Sequence, residues 1–184
     1  VFVTRFQQPS HEVLFSDLCT ISTRDGKPIF GFRVGNKRCN YIFLPEFTMT
    51  VMQRIHTVEG ETYIRSTPID ISNPPLLTAT FNITVPFDQE SPLANIAKLI
   101  SGVQPADGSS LKDYSIVVLM QGFDDVYNST VTAYHKYSPS DVRDGKMKDV
   151  FKFVDGDATI DWDSFHKIEE SKEGFVASVV LEPS

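Results

Sequence analysis

The sequence predicts an all-β domain built as an antiparallel sandwich or barrel. Short runs rich in Val, Ile, Phe, Tyr and Thr recur along the chain, and these residue types are enriched in strands because they suit a half-buried pleated surface. Gly, Pro, Asn or Asp interrupts the runs at fairly regular intervals, as in antiparallel folds. The predicted strands are residues 12–23, 29–35, 41–53, 61–66, 78–87, 114–121, 126–137, 149–153 and 174–181.

The segment "PIFGFRVGN", residues 28–36, shows how a strand divides between core and surface. Successive side chains of a strand point to opposite faces. The alternation places Phe30, Phe32 and Val34 on one face and Ile29, Gly31 and Arg33 on the other. We therefore expect the three apolar residues to fill the core, and Arg33 need not enter it.

Two dipeptides predict the tight turns of β-hairpins. Asp25-Gly26 and Glu59-Gly60 each separate two strand-like runs, and glycine supplies the positive φ that such turns require. Hairpins are therefore expected at both positions.

One segment stands out as a helix. Ser91 is a good N-cap, Pro92 suits the first helical position, and Leu93, Ile96 and Ile100 recur at helical spacing before Gly102. The sequence after the helix, "GVQPADGSSLKD", and "SPSDVRDGK" at 138–146 are expected to be loops. We expect "DWDSFHKIEE", residues 161–170, to form a turn or a short helix.

Size and charge limit the classes of function. A chain of 184 residues suits one domain, and its net charge of −7 argues against a nucleic-acid binder. Cations are the more plausible partners. No run approaches the roughly 20 apolar residues of a membrane span. Because the chain begins at Val1 without a signal-peptide pattern, we expect a processed chain or a piece of a longer protein.

The residues that usually carry chemistry are sparse and dispersed. The four histidines lie in separate elements without metal-ligand spacing, so no metal site is expected. Catalytic motifs are also lacking, which leaves a hydrolase as the weakest option. Cys19 and Cys39 are expected to be buried reduced thiols rather than a disulfide. The sequons at Asn82 and Asn128 keep open the alternative of a secreted immunoglobulin-like binding module.

Several short patterns, taken in order, resemble one known family. They are "TRFQQP" at 4–9, "VLFSDLCTISTRDGKPIFGFRVGNKR" at 13–38, "VEGETY" at 58–63, "FDQESPL" at 87–93, "YSIVVLMQGFDD" at 114–125, "AYHKYSPSDV" at 133–142 and "DWDSFHKI" at 161–168. Their order and spacing resemble the C-terminal cytoplasmic domain of inward-rectifier potassium channels, with the greatest likeness to the prokaryotic branch.

The resemblance implies an immunoglobulin-like (E-set) β-sandwich with one or two short helices. In this family the domain is non-enzymatic and lies at the cytoplasmic face of the cell membrane, where four copies form a ring that extends the potassium pore. By this likeness residues 1–13 are the linker from the pore-lining helix, residues 14–170 the sandwich and residues 171–184 a C-terminal strand or tail. The transmembrane part would then lie outside this chain.

The resemblance also implies where ions pass. The stretch "QGFDDVYNSTV", residues 121–131, is similar to the loop at the apex of the cytoplasmic vestibule, and we call it the girdle segment. Four copies of Asp124 and Asp125 would there concentrate K⁺, and possible Mg²⁺ or polyamines, without a bound cofactor. The residues assigned to this pore are Glu46, Gln121, Gly122, Phe123, Asp124, Asp125, Asn128, Ser129 and Thr130.

The resemblance assigns a second set of residues to contacts outside the domain. Arg33 and Arg38 are expected to form ion pairs with a neighbouring subunit or the linker, with a solvent-facing Arg33 as the alternative. In the family the linker binds anionic lipid head groups through clustered cations. Here that set would be Arg5 with Lys37 and Arg38. Leu44 and Gln121 replace two acids of strongly rectifying members, so steep polyamine block is not implied.

Overall fold

The computed structural model describes residues 12–170. That part of the chain contains thirteen strands, one α-helix and three short 3-10 turns, the latter at Leu111–Asp113, Pro139–Asp141 and Trp162–Ser164. In chain order the strands and the helix are β1 (Val13–Phe15), β2 (Cys19–Arg24), β3 (Lys27–Asn36), β4 (Ile42–His56), β5 (Thr62–Ile69), β6 (Leu76–Leu77), β7 (Thr80–Pro86), α1 (Pro92–Ile100), β8 (Tyr114–Asp124), β9 (Ser129–Tyr137), β10 (Val142–Met147), β11 (Phe151–Val154), β12 (Asp157–Ile160) and β13 (Ile168–Glu170).

The first sheet has the order β7–β3–β2–β10–β13, and β1 pairs with the last three residues of β3. Its pairs are antiparallel except for β2 and β10, which run parallel with Val142 opposite Cys19. The expected loop over 138–146 is therefore wrong from Val142 onward. Its Ser, Asp and Gly residues favour a loop locally, but a partner strand far earlier in the chain overrides that preference.

The second sheet has the order β5–β4–β8–β9, and the short β6 pairs with the beginning of β4. Both predicted hairpin turns are confirmed. Asp25 and Gly26 have φ values of 51° and 75° between β2 and β3, and Gly60 has φ 88° between β4 and β5. Gly26 and Gly60 therefore occupy the left-handed region that glycine tolerates best.

The two sheets face each other across one hydrophobic core, so the predicted sandwich is confirmed. Phe30, Phe32 and Val34 of β3 are fully buried, as the alternation predicts. Alternate residues of β4 and β8 supply the opposite wall; they include Met49, Val51, Ile116, Val118 and Met120. These buried aliphatic and aromatic side chains point into the core, and the intervening residues of each strand point to the outer faces of the sheets.

The predicted helix is confirmed as α1. The Ser91 hydroxyl accepts a hydrogen bond from the Leu93 N–H at 3.3 Å, and Pro92 is the first helical residue. Leu93 and Ile96 are completely buried, so one face of the helix closes an end of the core. The helix stops before Gly102, whose φ of 80° is unsuited to a helix.

Arg33 is buried, and the expectation of a surface or inter-subunit ion pair is wrong. Its side chain is 1% exposed. The Nε atom donates to Asn82 Oδ1 at 2.7 Å, Nη1 donates to the Phe165 carbonyl at 3.1 Å, and Nη2 donates to the Lys148 carbonyl. Residues 148–165 thus cover the outer face of β3, which alternation within a strand cannot reveal.

Gly35 allows the same covering segment to approach β3. A Cβ atom at Gly35 would lie 2.7 Å from an atom of the Phe165 ring and 2.9 Å from one of Trp162. The 3-10 turn Trp162–Ser164 confirms the turn or short helix expected over residues 161–170 for the first part of that range only, because Ile168–Glu170 form β13 beside β10. A larger residue at position 35 would push this turn away from the sheet.

The strands β11 and β12 form a separate two-stranded ribbon, here called the ribbon. Phe151 pairs with Ile160 and Phe153 with Ala158, so these apolar residues share one face. Phe153 is 78% exposed. At the base of the ribbon, Lys152 Nζ lies 2.7 Å from Asp161 Oδ2.

The prediction of two reduced thiols is confirmed, but the predicted burial holds for Cys19 only. Both thiols are free, but Cys19 is buried and Cys39 is exposed, because Cys39 lies in the turn between β3 and β4. Among residues 12–170, no helix is long and apolar enough to span a bilayer. The predicted strand 174–181, the expected tail and Arg5 lie outside the described residues.

Candidate functional site

The girdle segment forms the tip of the hairpin between β8 and β9. Asp124 is the last residue of β8, and it pairs with Ser129, the first residue of β9. The intervening turn ends at Asn128, whose φ of 48° asparagine adopts more readily than most residues. The girdle segment therefore consists of the ends of two core strands and the tight turn between them. The pairing of these strands in the second sheet fixes its position.

Asp124 is a structural carboxylate rather than a solvated one. It is 2% exposed. Its Oδ1 accepts hydrogen bonds from the Val126 N–H at 2.9 Å, the Tyr127 N–H at 3.1 Å and Asn40 Nδ2 at 2.9 Å. The expectation that Asp124 faces an open ion passage is wrong, because aspartate before a turn readily binds the turn's own backbone N–H groups.

Asp125 remains exposed at the tip of the turn. Its Oδ1 accepts from the Tyr41 N–H at 3.1 Å and from Asn40 Nδ2 at 3.0 Å. Its own N–H donates to the Tyr41 carbonyl at 3.1 Å. The Asp125 carboxylate is therefore held in place while its charge stays in contact with solvent.

Asn40 is the residue that the sequence analysis missed. Its amide bridges Asp124 and Asp125, and its backbone carbonyl accepts from Asn36 Nδ2 at 2.8 Å. Asn36 is 1% exposed and also accepts from the Arg38 N–H at 3.3 Å. The two asparagines flanking "KRC" in residues 36–40 were a signal, since asparagine often stabilises turns.

Lys37 and Arg38 connect the same turn to the beginning of the described chain. The Lys37 N–H donates to the Glu12 carbonyl at 3.0 Å, next to the start of β1. The Arg38 guanidinium lies 4.3 Å from the centre of the Tyr127 ring in the girdle segment, a favourable cation–π distance. The turn between β3 and β4 therefore contacts both the girdle segment and the point where the chain enters the sheet.

Glu46 and Gln121 lie opposite each other on β4 and β8. Both are exposed and line a shallow depression of about 220 Å³. A β-bulge between Phe43 and Glu46 turns Leu44 outward, with φ 48° and 81% exposure. Gly122 also lines the depression, and a Cβ there would lie 2.6 Å from Cγ2 of the buried Ile42.

Exposed apolar side chains surround the girdle segment. Tyr41 and Phe43 stack with ring centres 6.0 Å apart, and both are about half exposed. Phe123 is 41% and Tyr134 is 76% exposed. Phe43, Leu44 and Phe123 line the same depression as Glu46, and Tyr41 stacks on Phe43, so an apolar border lies beside the acidic positions, as on surfaces that contact another molecule.

The structure thus brings together most of the predicted pore residues and separates others. Glu46, Gln121, Gly122, Phe123, Asp125 and Thr130 lie at one end of the second sheet, and Arg38 joins them through Tyr127. Arg33 is buried in the first sheet. Within residues 12–170, no group of three or more His, Cys, Asp or Glu side chains could hold a metal ion.

A family model described as the inward rectifier potassium channel C-terminal domain matches residues 13–181. The chain belongs to this family. Among curated relatives, inward rectifier potassium channel Kirbac3.1 of Paramagnetospirillum magnetotacticum is 26% identical over 90% of this chain and 55% of its own length. G protein-activated inward rectifier potassium channel 2 of Rattus norvegicus is 26% identical over 93% of this chain and 40% of its own length.

A third inward-rectifier relative is inward rectifier potassium channel 4 of Homo sapiens, which is 26% identical over 91% of this chain and 38% of its own length. The chain thus spans about half the length, or less, of these relatives. Family membership confirms the resemblance found in the sequence and does not favour the secreted binding module.

Proposed function

We propose that the chain is the cytoplasmic domain of a potassium channel, in which four copies surround an axis and continue the membrane pore. The observation that carries this proposal is the match of residues 13–181 to the C-terminal domain of inward rectifier channels. In this arrangement the domain lies at the cytoplasmic face of the membrane, K⁺ is the permeant ion, and neither a cofactor nor a catalytic residue is needed.

Cation attraction is assigned to Asp125 and Glu46 rather than to Asp124. Asp125 and Glu46 are exposed at the same end of the second sheet, whereas the charge of Asp124 is enclosed by its own turn. Acids repeated around a narrow opening focus a negative potential, which raises the local concentration of K⁺, Mg²⁺ or polyamines. The net charge of −7 per chain has the same sign.

The turn between β3 and β4 is proposed to couple the linker to the girdle segment. Lys37 contacts the backbone of Glu12, and Arg38 covers Tyr127. The exposed Lys37 and Arg38, together with Arg5, are the candidate contacts for anionic lipid head groups. A shift of the linker would therefore reach the girdle segment through two adjacent residues.

A chimera tests the proposed function. In the chimera, this chain replaces the matching segment of Kirbac3.1 and is joined to the transmembrane part of that channel. K⁺ flux is then measured in liposomes with and without Mg²⁺. We expect flux in the chimera, and a reduction of about two- to tenfold with weaker Mg²⁺ block in the Glu46→Gln, Asp125→Asn double variant.

Glu61→Gln, another exposed acid near the β4–β5 turn, is the matched control and should leave flux and block unchanged. A tetrameric chimera whose flux and Mg²⁺ block are the same in the double variant would contradict the assigned roles. A correctly folded, tetrameric chimera that conducts no K⁺ would contradict the proposed function itself.

A further inference from the structure

A polar trough lies on the outer face of the first sheet, away from the girdle segment. Its volume is about 430 Å³, within the range of small-molecule sites. Thr20, Gly31 and Thr84 form one row across β2, β3 and β7 along its floor. The floor is closely packed at Gly31, where a Cβ would lie 2.9 Å from Thr20 Oγ1.

The buried Arg33 determines which end of the Asn82 amide faces the trough. Asn82 Oδ1 accepts a hydrogen bond from Arg33 Nε at 2.7 Å. Because the oxygen is turned toward Arg33, the NH₂ group is the end that Asn82 presents to the trough. This wall of the trough can therefore donate hydrogen bonds to a ligand.

Arg24 crosses above β3 and completes the donor set. Its Nη1 donates to Thr84 Oγ1 at 3.3 Å, which fixes the guanidinium at the wall and leaves the Thr84 hydroxyl hydrogen for another acceptor. The Ser22 hydroxyl and the Lys146 ammonium also line the trough. Five side chains can thus donate hydrogen bonds into one concave surface, and two of them are cationic.

Acidic groups limit the position of a ligand within the trough. Asp25 lies at one end, beside the β2–β3 turn. A neighbouring hollow shares Ser22, Thr23 and Lys146 with the trough and is lined by three acids, Asp144, Glu169 and Glu170. An anion would therefore be held on the side of Arg24, Asn82 and Thr84, away from that hollow.

We propose that the trough binds a small soluble anion carrying a phosphate or carboxylate group. A charge-assisted bond from Arg24, with the neutral donors of Asn82 and Thr84 beside it, is the chemistry that recognises such groups, and Lys146 adds positive charge on the other side of the trough. If the girdle end faces the membrane, as the proposed function requires, the trough lies below it, because Gly31 is about 17 Å along β3 from Asn36. That depth favours a soluble ligand over a lipid head group.

The test uses the full 184-residue chain at constant ionic strength, titrated with inorganic phosphate and with pyrophosphate while backbone amide NMR shifts are recorded. Saturable shifts are expected at Thr20, Ser22, Gly31 and Thr84. Arg24→Gln and Asn82→Asp should each weaken binding about tenfold or more. Asn82→Asp is the sharper variant, since it keeps the acceptor for Arg33 and replaces the donating NH₂ with a charged oxygen.

Asn73→Asp is the matched control, because Asn73 Oδ1 likewise accepts a bond, from the Phe47 N–H at 2.8 Å, but lies outside the trough. The affinity of the Asn73→Asp variant for the two phosphate probes should change by less than about twofold. Shifts that grow without saturation, or that survive Asn82→Asp in a folded chain, would overturn the site. Binding to anionic vesicles but to neither phosphate probe would overturn the soluble ligand. Neither result depends on K⁺ flux, so failure here is distinct from failure of the proposed function.

Discussion

Arg33 is the residue on which the docking of the C-terminal segment depends. Its three acceptors are an amide oxygen and two backbone carbonyls, which lie on β7 and on both ends of residues 148–165. Arginine suits this task because its planar group donates in several fixed directions. Arg33, which the strand alternation placed away from the core, thus connects the first sheet to the segment that covers it.

Replacing Arg33 by Met should destabilise the domain by at least about 2 kcal/mol, because the buried Phe165 carbonyl loses its donor and two partly buried bonds to a charged group are lost as well. Urea denaturation measures the free energy of unfolding. Arg54→Met, at an exposed arginine of β4, is the control and should change it by about 0.5 kcal/mol or less. Equal unfolding curves for the two variants would contradict the structural role of Arg33.

Asp161 predicts a pH dependence at the base of the ribbon. The bond from Lys152, with a second from the Ser164 hydroxyl, lowers the pKa of Asp161 to about 2. The folded pKa is depressed, so this contribution is complete above the ordinary aspartate pKa and is lost as pH falls through the folded value. We therefore expect the Lys152 contact to persist at about pH 4 and to be lost near pH 2.

An NMR titration of the Asp161 carboxyl carbon checks this expectation. Lys152→Met should move the midpoint up toward the ordinary aspartate range, because the principal cause of the depression is removed. Lys167→Met, at another exposed lysine, should leave it in place. An unchanged midpoint in Lys152→Met would show that the ion pair does not form in solution.

At the scale of elements, two turns act as one unit. The girdle segment and the turn between β3 and β4 are joined by the Asn40 amide, the Asp125–Tyr41 backbone pair and the stacking of Arg38 on Tyr127. These contacts come from strands that are far apart in sequence. The sequence could therefore indicate each turn but not their connection.

Asn40→Ala should loosen this unit without unfolding the sandwich. Among the contacts within residues 12–170, Asp124 keeps its two backbone donors and Asp125 keeps one, the Tyr41 N–H. Loss of bonds to charged groups predicts destabilisation of about 1–3 kcal/mol. Hydrogen exchange should accelerate at the Asp125 amide, with amides of the β2–β3 hairpin as the internal control. Equal protection of Asp125 in both proteins would contradict the proposed connection.

The elements that depend on local pattern were predictable, and those that depend on distant partners were not. Phe30, Phe32 and Val34 follow from alternation, and α1 follows from its cap and spacing. By contrast, β10 has a sequence typical of a loop and becomes a strand because β2 is available beside it. For the same reason, no local rule could show that Asp124 would be enclosed or that Arg33 would be covered.

At the scale of the whole molecule, charge opposes the proposed assembly. A ring of four chains, each with a net charge of −7, carries −28 in total. Salt screens repulsion between surface charges, with a Debye length of about 10 Å at 0.1 M and about 3 Å at 1 M. Burial of the exposed apolar border between neighbouring chains would offset the repulsion that salt does not screen.

Self-association of the chain should therefore increase with salt. We expect sedimentation velocity to show a larger tetramer fraction at high KCl than at low KCl, at a fixed protein concentration. Leu44→Glu, which puts a charge at an 81% exposed apolar position of the border, should reduce that fraction, and Val58→Glu, at the exposed β4–β5 turn, should not. A tetramer fraction that falls with salt would contradict this account.

The family could be inferred from the order of several short patterns because each falls on a feature that the fold requires. "RDGK" is a hairpin turn, "SPL" begins the helix, and "GFDD" ends β8 and begins the girdle turn. Individual site roles were harder to predict, since they depend on which side chains the neighbouring elements leave exposed. Asp124 and Asp125 are adjacent and chemically identical, yet only one is enclosed.

The unequal burial of the two cysteines makes the chain suitable for single-site labelling. Cys19 is inaccessible and burial raises the pKa of its thiol, whereas Cys39 is exposed one residue from both Arg38 and Asn40. A nitroxide attached to Cys39 would report on the girdle segment without any engineered cysteine. In a ring of four copies, the spin–spin distances would fall into two sets, related as the side of a square is to its diagonal.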